Sequence, residues 1–295
     1  MKKQMLALAL ISLAAGGAFA QSNDTLAKVK ASGKITMGVR ESSSPLSFTM
    51  GDGKFTGYHV ELCDRIIKAI APAAKVEYTA VTSANRIPLV QNGTVDLECG
   101  STTNNVARQK DVSFAVTTYV TEVRTAVKAN SGIKSISQLN GKTIATTTGT
   151  TSVALLRKNE RATGVDFKEI YGKDHSDSFL LLESGRADAF VMDDNILAGL
   201  IASSKSPKDY AIVGETLNVE PIAIMIRKDD PAFKKAVDDV IVGMMKSGDL
   251  NKLYDKWFMS PIPPKNTSVN LPMGNVMKAL VATPADKPAE DYNKK

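Results

Sequence analysis

Hydroxyl and arginine side chains recur where apolar, strand-like runs give out. After the run ending at Cys99 the chain reads Gly100-Ser-Thr-Thr-Asn-Asn-Val-Ala-Arg108, and further on Thr148-Gly-Thr-Thr-Ser152. Each reads as a strand end leading into the first turn of a helix. Free backbone N–H groups there attract an anion, and Ser or Thr both caps and donates. Arg108 lies about one and a half helical turns beyond Thr103 and would reach back to the same anion as a two-pronged donor. Taken singly, either loop is explained by ordinary N-capping. Two of them, one with an arginine attached, favour a carboxylate site.

Arg40 ends the first apolar strand, and Arg86 opens a helix after Thr82-Ser-Ala-Asn85. The ends of strands are where an α/β sheet forms its ligand crevice, although an arginine taken alone is more often a solvated surface residue. Asp193 and Asp194 close the apolar run Phe190-Val-Met192. One of them suffices as an N-cap, which leaves the other for a cation such as an ammonium. His175 precedes a helix and fits either a hydrogen-bond donor in a cleft or a surface cap. Arg108 and the loop N–H groups suit one carboxylate, Asp193 an ammonium, and Arg40 with Arg86 a second negative group. Together they describe an α-amino acid with an acidic side chain.

Other chemistries lack their residues. His59 and His175 are the only histidines of 295 residues, and no Cys/His/carboxylate set has metal-ligand spacing, so neither metal nor cofactor is expected. Nucleophile-elbow, zincin, phosphate-loop and dinucleotide fingerprints are all missing. The formal charge of +6 is mild and unclustered, which does not point to nucleic acid. With 43% apolar and 23% charged residues, the chain can bury a sizeable core.

The elements that must carry these residues alternate as strands and helices. Strands are expected at residues 34–40, 76–81 and 94–99, with helices at 60–70 and 86–91 between them. A second set has strands at 123–129, 142–146, 165–170 and 187–192, with helices at 151–158, 176–184 and 195–202. A strand at 222–227 has no neighbours of its own and fits as a return to the first set, ahead of helices at 231–246 and 250–258. The expectation is an α/β chain with largely parallel sheets in two lobes, crossed near 119–124 and 214–220, with the ligand in the interlobe cleft. By residue number, the first lobe takes 21–120 and 218–280, the second takes 121–217, and 281–295 form a loose, Pro- and Lys-rich tail. Residues 1–20 read as a signal peptide: Lys2 and Lys3, an apolar run too short for the roughly 20 residues of a membrane span, and Ala18-Phe19-Ala20 as the cleavage site. The mature chain would start at Gln21 in the periplasm. Cys63 and Cys99 are an even pair in that oxidising compartment, open to a disulfide or to two buried thiols.

Several stretches together resemble the periplasmic solute-binding proteins of polar amino acid ABC transporters, the glutamate/aspartate binders above all. They are Gly38-Val-Arg-Glu-Ser-Ser43, Thr82-Ser-Ala-Asn-Arg-Ile-Pro-Leu89, Gln91-Asn-Gly-Thr94, Glu98-Cys-Gly-Ser-Thr-Thr-Asn-Asn105, Gly149-Thr-Thr-Ser152, Lys173-Asp-His175, Leu182-Glu-Ser-Gly-Arg186, Met192-Asp-Asp194, Trp257-Phe258 and Pro261-Ile-Pro-Pro264. The resemblance spans nearly the whole mature chain. It implies the two-lobed type II periplasmic binding protein fold, a monomer, and delivery of the captured amino acid to an inner-membrane ABC permease. It also implies roles: Arg108, Ser101 and Thr151 for the α-carboxylate, Thr103 and Asp193 for the α-ammonium, and Arg40, Arg86, Ser83 and His175 for the side-chain carboxylate. Thr150 and Thr148 are second choices in the same loop. Ala84 stands where some members carry Gln, and the Cys63/Cys99 pair is usual for part of the family. The competing readings are a sensor module with the same cleft, a binder of another polar amino acid such as glutamine, and a periplasmic dehydratase on the same fold. The last would need a poised acid–base pair, and beside Asp193 only Glu41 and Glu98 lie near.

Overall fold

The computed structural model describes residues 24–294, so the expected signal segment at 1–20 lies outside the described residues. Two five-stranded sheets organise the chain into two lobes. The first sheet is ordered Lys75–Ala80, Lys34–Val39, Leu97–Glu98, Met225–Arg227, Val112–Phe114. Its first three strands are parallel, and Met225–Arg227 runs antiparallel to both neighbours. The second sheet is ordered Lys168–Gly172, Thr143–Thr147, Ala189–Asp193, Tyr119–Lys128, Tyr210–Ile222. Its first three strands are again parallel, and Tyr119–Lys128 runs antiparallel to both its neighbours. The sheets are therefore mixed rather than largely parallel. In each, the antiparallel strand belongs to a segment that crosses between the lobes or follows such a crossing.

Residue alternation explains why each sheet is sandwiched. In the second lobe Val123, Val127, Ala189 and Val191 pack on one side with Leu156 and Phe167. Ala126, Phe190 and Met192 pack on the other with Phe179, Leu182 and Ile196. Strands with apolar residues at both parities must be covered on both faces. In the first lobe Ile35, Met37 and Val39 share a core with Leu62, Ile66 and Ile67 of the helix Tyr58–Ile70, and with Phe233, Val237 and Ile241 of the helix Pro231–Ser247. A Cys63–Cys99 disulfide, with Cα atoms 6.4 Å apart, ties the helix Tyr58–Ile70 to the loop that follows Leu97–Glu98.

The lobes are joined by the strands Tyr119–Lys128 and Tyr210–Ile222, paired from Lys128/Tyr210 to Tyr119/Ile222 with an irregularity between Val213 and Asn218. At the first-lobe end Tyr119 stacks on Phe258 at 4.7 Å. The expected loose tail is instead docked. Its first residues complete the helix Asn275–Ala282, and Ala289–Tyr292 form a short helix with Ala289 buried. The Thr117 N–H donates to Ala285 O and the Ala289 N–H to Asn104 O, both at 2.9 Å. Composition marked the segment as polar, but these backbone partners lie far away in sequence. The helix Thr25–Ser32 and a small sheet of Ser42–Ser43, Ser47–Gly51 and Lys54–Thr56 also had no clear sequence pattern. Among the described residues no helix is long and apolar enough to cross a membrane.

Candidate ligand-binding site

A narrow cavity lies between the lobes. Ser83, Arg86, Ser101 and Thr103 line it from the first lobe, and Thr150, Thr151, His175, Met192, Asp193 and Ile196 from the second. All of the polar ones stand just beyond, or at, the carboxyl ends of parallel strands. Ser83 and Arg86 follow Lys75–Ala80, Ser101 and Thr103 follow Leu97–Glu98, Thr150 and Thr151 follow Thr143–Thr147, His175 follows Lys168–Gly172, and Asp193 ends Ala189–Asp193. This is the crevice position of open α/β sheets, built twice and facing itself. Of the sequence-predicted residues, Arg40 and Arg108 are not in the lining itself but bond to residues that are, Arg40 to Ser101 and Arg108 to Thr103. Thr148 lies on an outer groove. Met192 and Ile196 were not foreseen; they read as core positions and form an apolar patch of the wall.

Arg40 is fully buried. Its Nη2 donates to Asp174 Oδ1 at 2.5 Å, and its Nη1 to the Ser101 hydroxyl at 3.1 Å. Nη2 also lies 3.3 Å from His175 Nε2. A guanidinium only donates, so Nε2 is the acceptor and the His175 proton sits on Nδ1, 3.0 Å from the Thr147 hydroxyl. Burial, reinforced by the Arg40 charge, holds the His175 pKa down at about 3, which keeps the ring neutral. Both sequence readings of His175 are thereby refined: Asp174 takes the cap position, and His175 is a buried cleft residue.

Arg86 is the first residue of the helix Arg86–Gln91, and its Nη1 donates to Ser101 O at 3.1 Å. Burial and the neighbouring Arg108 charge push its pKa down. Among the described residues the Arg86 Nε and the Ser83 hydroxyl have no hydrogen-bond partner although both are buried. Such groups are rare unless water or a ligand serves them.

The segment after Gly100 does not open a helix, which corrects one sequence expectation. Asn104 N–H donates to Pro221 O at 2.9 Å, Ala223 N–H to Thr102 O at 3.3 Å, and Thr103 bridges to Ile222. Those bonds to the crossing strand keep the run extended, and only Arg108–Lys110 form a single 3-10 turn. This segment therefore offers no helix N-terminus to an anion. Arg108, half-buried, reaches back all the same: Nη1 donates to Thr103 O at 3.0 Å and Nη2 to Gly149 O at 3.3 Å. In the second lobe Thr151 does open a helix, Thr151–Thr163, with Thr150 at its cap position. The Thr150 hydroxyl donates to Thr147 O at 2.7 Å. Gly149, at φ +81°, packs so closely on Ser83 and Ala84 that a Cβ would lie 2.7 Å from Ala84 backbone atoms.

Asp193 and Asp194 divide their work. Asp194 Oδ1 accepts from the Thr121 hydroxyl and the Asn195 N–H, each at 2.7 Å. Asp193 is left facing the cavity. Its carboxyl is pushed well above the usual range by burial and by the Glu220 and Asp194 charges, against the pull of Arg86 and Arg108. Glu220, absent from the sequence reading, is fully buried behind Thr103 and Thr151.

A family model, described as bacterial extracellular solute-binding proteins, family 3, matches residues 35–260. The chain belongs to that family. Its members are solute-binding proteins rather than enzymes, which sets the dehydratase reading aside. The chain is 46% identical over 272 residues to an L-glutamate/L-aspartate-binding protein of Pseudomonas aeruginosa, covering 90% of each chain. It is 44% identical over 293 residues to a glutamate/aspartate import solute-binding protein of Escherichia coli, covering 95% of this chain and 97% of that one. Among solved structures, an ancestral arginine-binding protein bound to glutamine superimposes with a TM-score of 0.69 at 30% identity, over 77% of this chain and 98% of that one. The solute receptor for L-cysteine of Neisseria gonorrhoeae gives 0.71 at 26%, over 82% and 96%. The two-lobed family fold is thus shared across members whose named ligands differ.

Proposed function

We propose that this protein captures L-glutamate or L-aspartate between its lobes in the periplasm and delivers it, as a monomer, to an inner-membrane ABC permease. The observation that carries the reading is the pairing, on one small cavity, of buried Arg86 and buried Asp193, with Arg40 bonded to Ser101 and Arg108 to Thr103 of its lining. Arg86, with Ser83 and Ser101, meets the side-chain carboxylate. Arg40 adds positive potential there and is held by Asp174, Ser101 and His175. Asp193 and Thr103 meet the α-ammonium. Arg108 and the free backbone N–H groups at the start of the helix Thr151–Thr163 meet the α-carboxylate. The names of the Pseudomonas and Escherichia relatives support the same ligand pair. A cationic side chain would face Arg86 and Arg40 and be repelled.

Closure excludes water and strengthens each of these contacts, while desolvation of the charges offsets part of the gain. A ligand that touches both lobes favours the closed population, which is the form a permease reads. The test is calorimetry on the mature protein, stripped of ligand by unfolding and refolding, against L-glutamate, L-aspartate, L-glutamine and L-arginine. Binding confined to the acidic pair, and weakened about tenfold or more by Arg86→Ala, is expected. Preferential binding of glutamine or arginine would overturn the side-chain pocket. No binding at all would favour the sensor reading with another ligand.

A further inference from the structure

Glu220 lies in the strand Tyr210–Ile222, one of the two that link the lobes, and is fully buried. Its Oε2 accepts from the Thr103 hydroxyl at 2.5 Å and from the Thr151 hydroxyl at 2.9 Å. Its Oε1 accepts from Asn218 Nδ2 at 3.0 Å. Thr103 belongs to the first lobe, and Thr151 opens a helix of the second. A hydroxyl has one proton to give. With both protons committed to Glu220, both threonines turn only lone pairs toward the cavity they line. Lone pairs suit an ammonium and repel a carboxylate.

Building on the function proposed above, we infer that Glu220 is a positioning residue for the α-ammonium of the ligand. It fixes Thr103 and Thr151 as acceptors and sets a second negative charge behind them, beyond Asp193, without touching the ligand. The α-carboxylate then takes its hydrogen bonds from backbone N–H groups at the start of the helix Thr151–Thr163, not from the Thr151 hydroxyl. Because the two hydroxyls come from different lobes, Glu220 completes the acceptor pair only when the lobes meet. Recognition of the ammonium is thereby coupled to closure.

The test compares L-glutamate with (S)-2-hydroxyglutarate, which carries a hydroxyl in place of the ammonium. Affinities are measured by calorimetric titration and displacement for the wild type, Glu220→Gln and Thr103→Val. Glu220→Gln should weaken L-glutamate about ten- to a hundredfold, the range of a hydrogen bond to a charged group, and 2-hydroxyglutarate less than about threefold. Equal losses for both ligands would overturn the inference, because a merely structural residue does not distinguish them. If Glu220→Gln does not melt cooperatively, Thr103→Val carries the same comparison: selective loss of L-glutamate supports the assignment and equal loss overturns it. Failure of the wild type to bind L-glutamate or L-aspartate would instead overturn the function on which the inference rests.

Discussion

Asp174 of the second lobe accepts a hydrogen bond from Nη2 of Arg40 in the first at 2.5 Å, and also one from the Ser42 hydroxyl at 2.8 Å. Burial opposes the charge on Asp174, but the Arg40 charge and the hydrogen bonds from Arg40 and Ser42 outweigh it and hold the carboxyl below its usual range. Removing one member of a buried pair costs about 3–5 kcal/mol, since the other charge is left uncompensated. Asp174→Ala should therefore drive the ligand-free lobes apart. Small-angle scattering should give a larger radius of gyration for the variant, and an unchanged radius would show that the pair does not hold the cleft.

Gly199 makes a second contact between the lobes. It lies inside the helix Asp194–Ser203, where a Cβ would sit 2.4 Å from Ser44 O. Within a helix, Ala is favoured over Gly by roughly 1 kcal/mol. Gly199→Ala should thus keep or raise the melting temperature of the ligand-free protein while blocking closure. Overpacking of about 1–3 kcal/mol predicts an affinity for L-glutamate about tenfold lower. Unchanged affinity in calorimetry would show that the helix shifts aside without cost.

The residues of the site were readable because they stand at strand ends, where the α/β alternation puts them on one crevice whatever the detailed packing. Arg86 and Asp193 needed only that local pattern, which also marked the loops holding Thr103 and Thr151; the family resemblance picked out those two threonines. Glu220 was not readable, because its role depends on two hydroxyls 117 and 69 residues away in the chain. The helix expected after Gly100 failed for the same kind of reason. Ser101 to Asn105 have helix-start chemistry, but backbone bonds to Pro221 and Ala223 hold the run extended. The docking of the tail likewise depends on Asn104 and Thr117, which no local signal near residue 285 announces.

Acidification should destabilise the fold through His59. Nδ1 of this buried ring donates to Gly100 O at 2.6 Å, and Nε2 lies 2.9 Å from the Thr118 hydroxyl. Burial lowers its pKa from 6.5 to about 4, against the raising effect of the Gly100 carbonyl. The unfolded chain therefore takes up a proton below pH 6.5 that the fold refuses. Stability present above 6.5 is lost as pH falls toward 4, by about 1.4 kcal/mol per unit and about 3 kcal/mol in all. Urea midpoints at pH 7, 6 and 5 should fall in that order, and His59→Asn should make the fall shallower, leaving the part that buried His175 contributes. An unaltered slope in the variant would assign the effect elsewhere.

Ligand affinity should also fall in acid, through a different group. Asp193 attracts an ammonium only when ionised, and its carboxyl titrates well above the usual range, chiefly because it is buried. As pH drops through that raised value the carboxylate is protonated and its attraction is lost. Binding restores the charge, so part of the protein should release a proton when L-glutamate enters. Calorimetry in two buffers of different ionisation enthalpy, repeated at successively lower pH, should give apparent binding enthalpies that diverge between the buffers as Asp193 becomes protonated in the free protein. Identical enthalpies would mean that Asp193 is already ionised in the free protein.

The C-terminal segment should stiffen the crossing between the lobes. Asn293 Oδ1 accepts from the Val219 N–H at 2.9 Å, and its Nδ2 donates to Val219 O at 2.8 Å. Tyr210–Ile222 is an edge strand of its sheet, so this side chain takes the place of a neighbouring strand beside Glu220. Each of these bonds contributes about 1 kcal/mol. Ending the chain at Thr283 removes them together with the Ala289 bond to Asn104 and the Ala285 bond to Thr117. The amides of Val219 and Thr117 should then exchange with solvent faster, since local opening no longer breaks these contacts. L-glutamate should bind more weakly because Thr103 and Glu220 lose the frame that aligns them. Unchanged exchange at Val219 would show that the crossing strands hold their register without the segment.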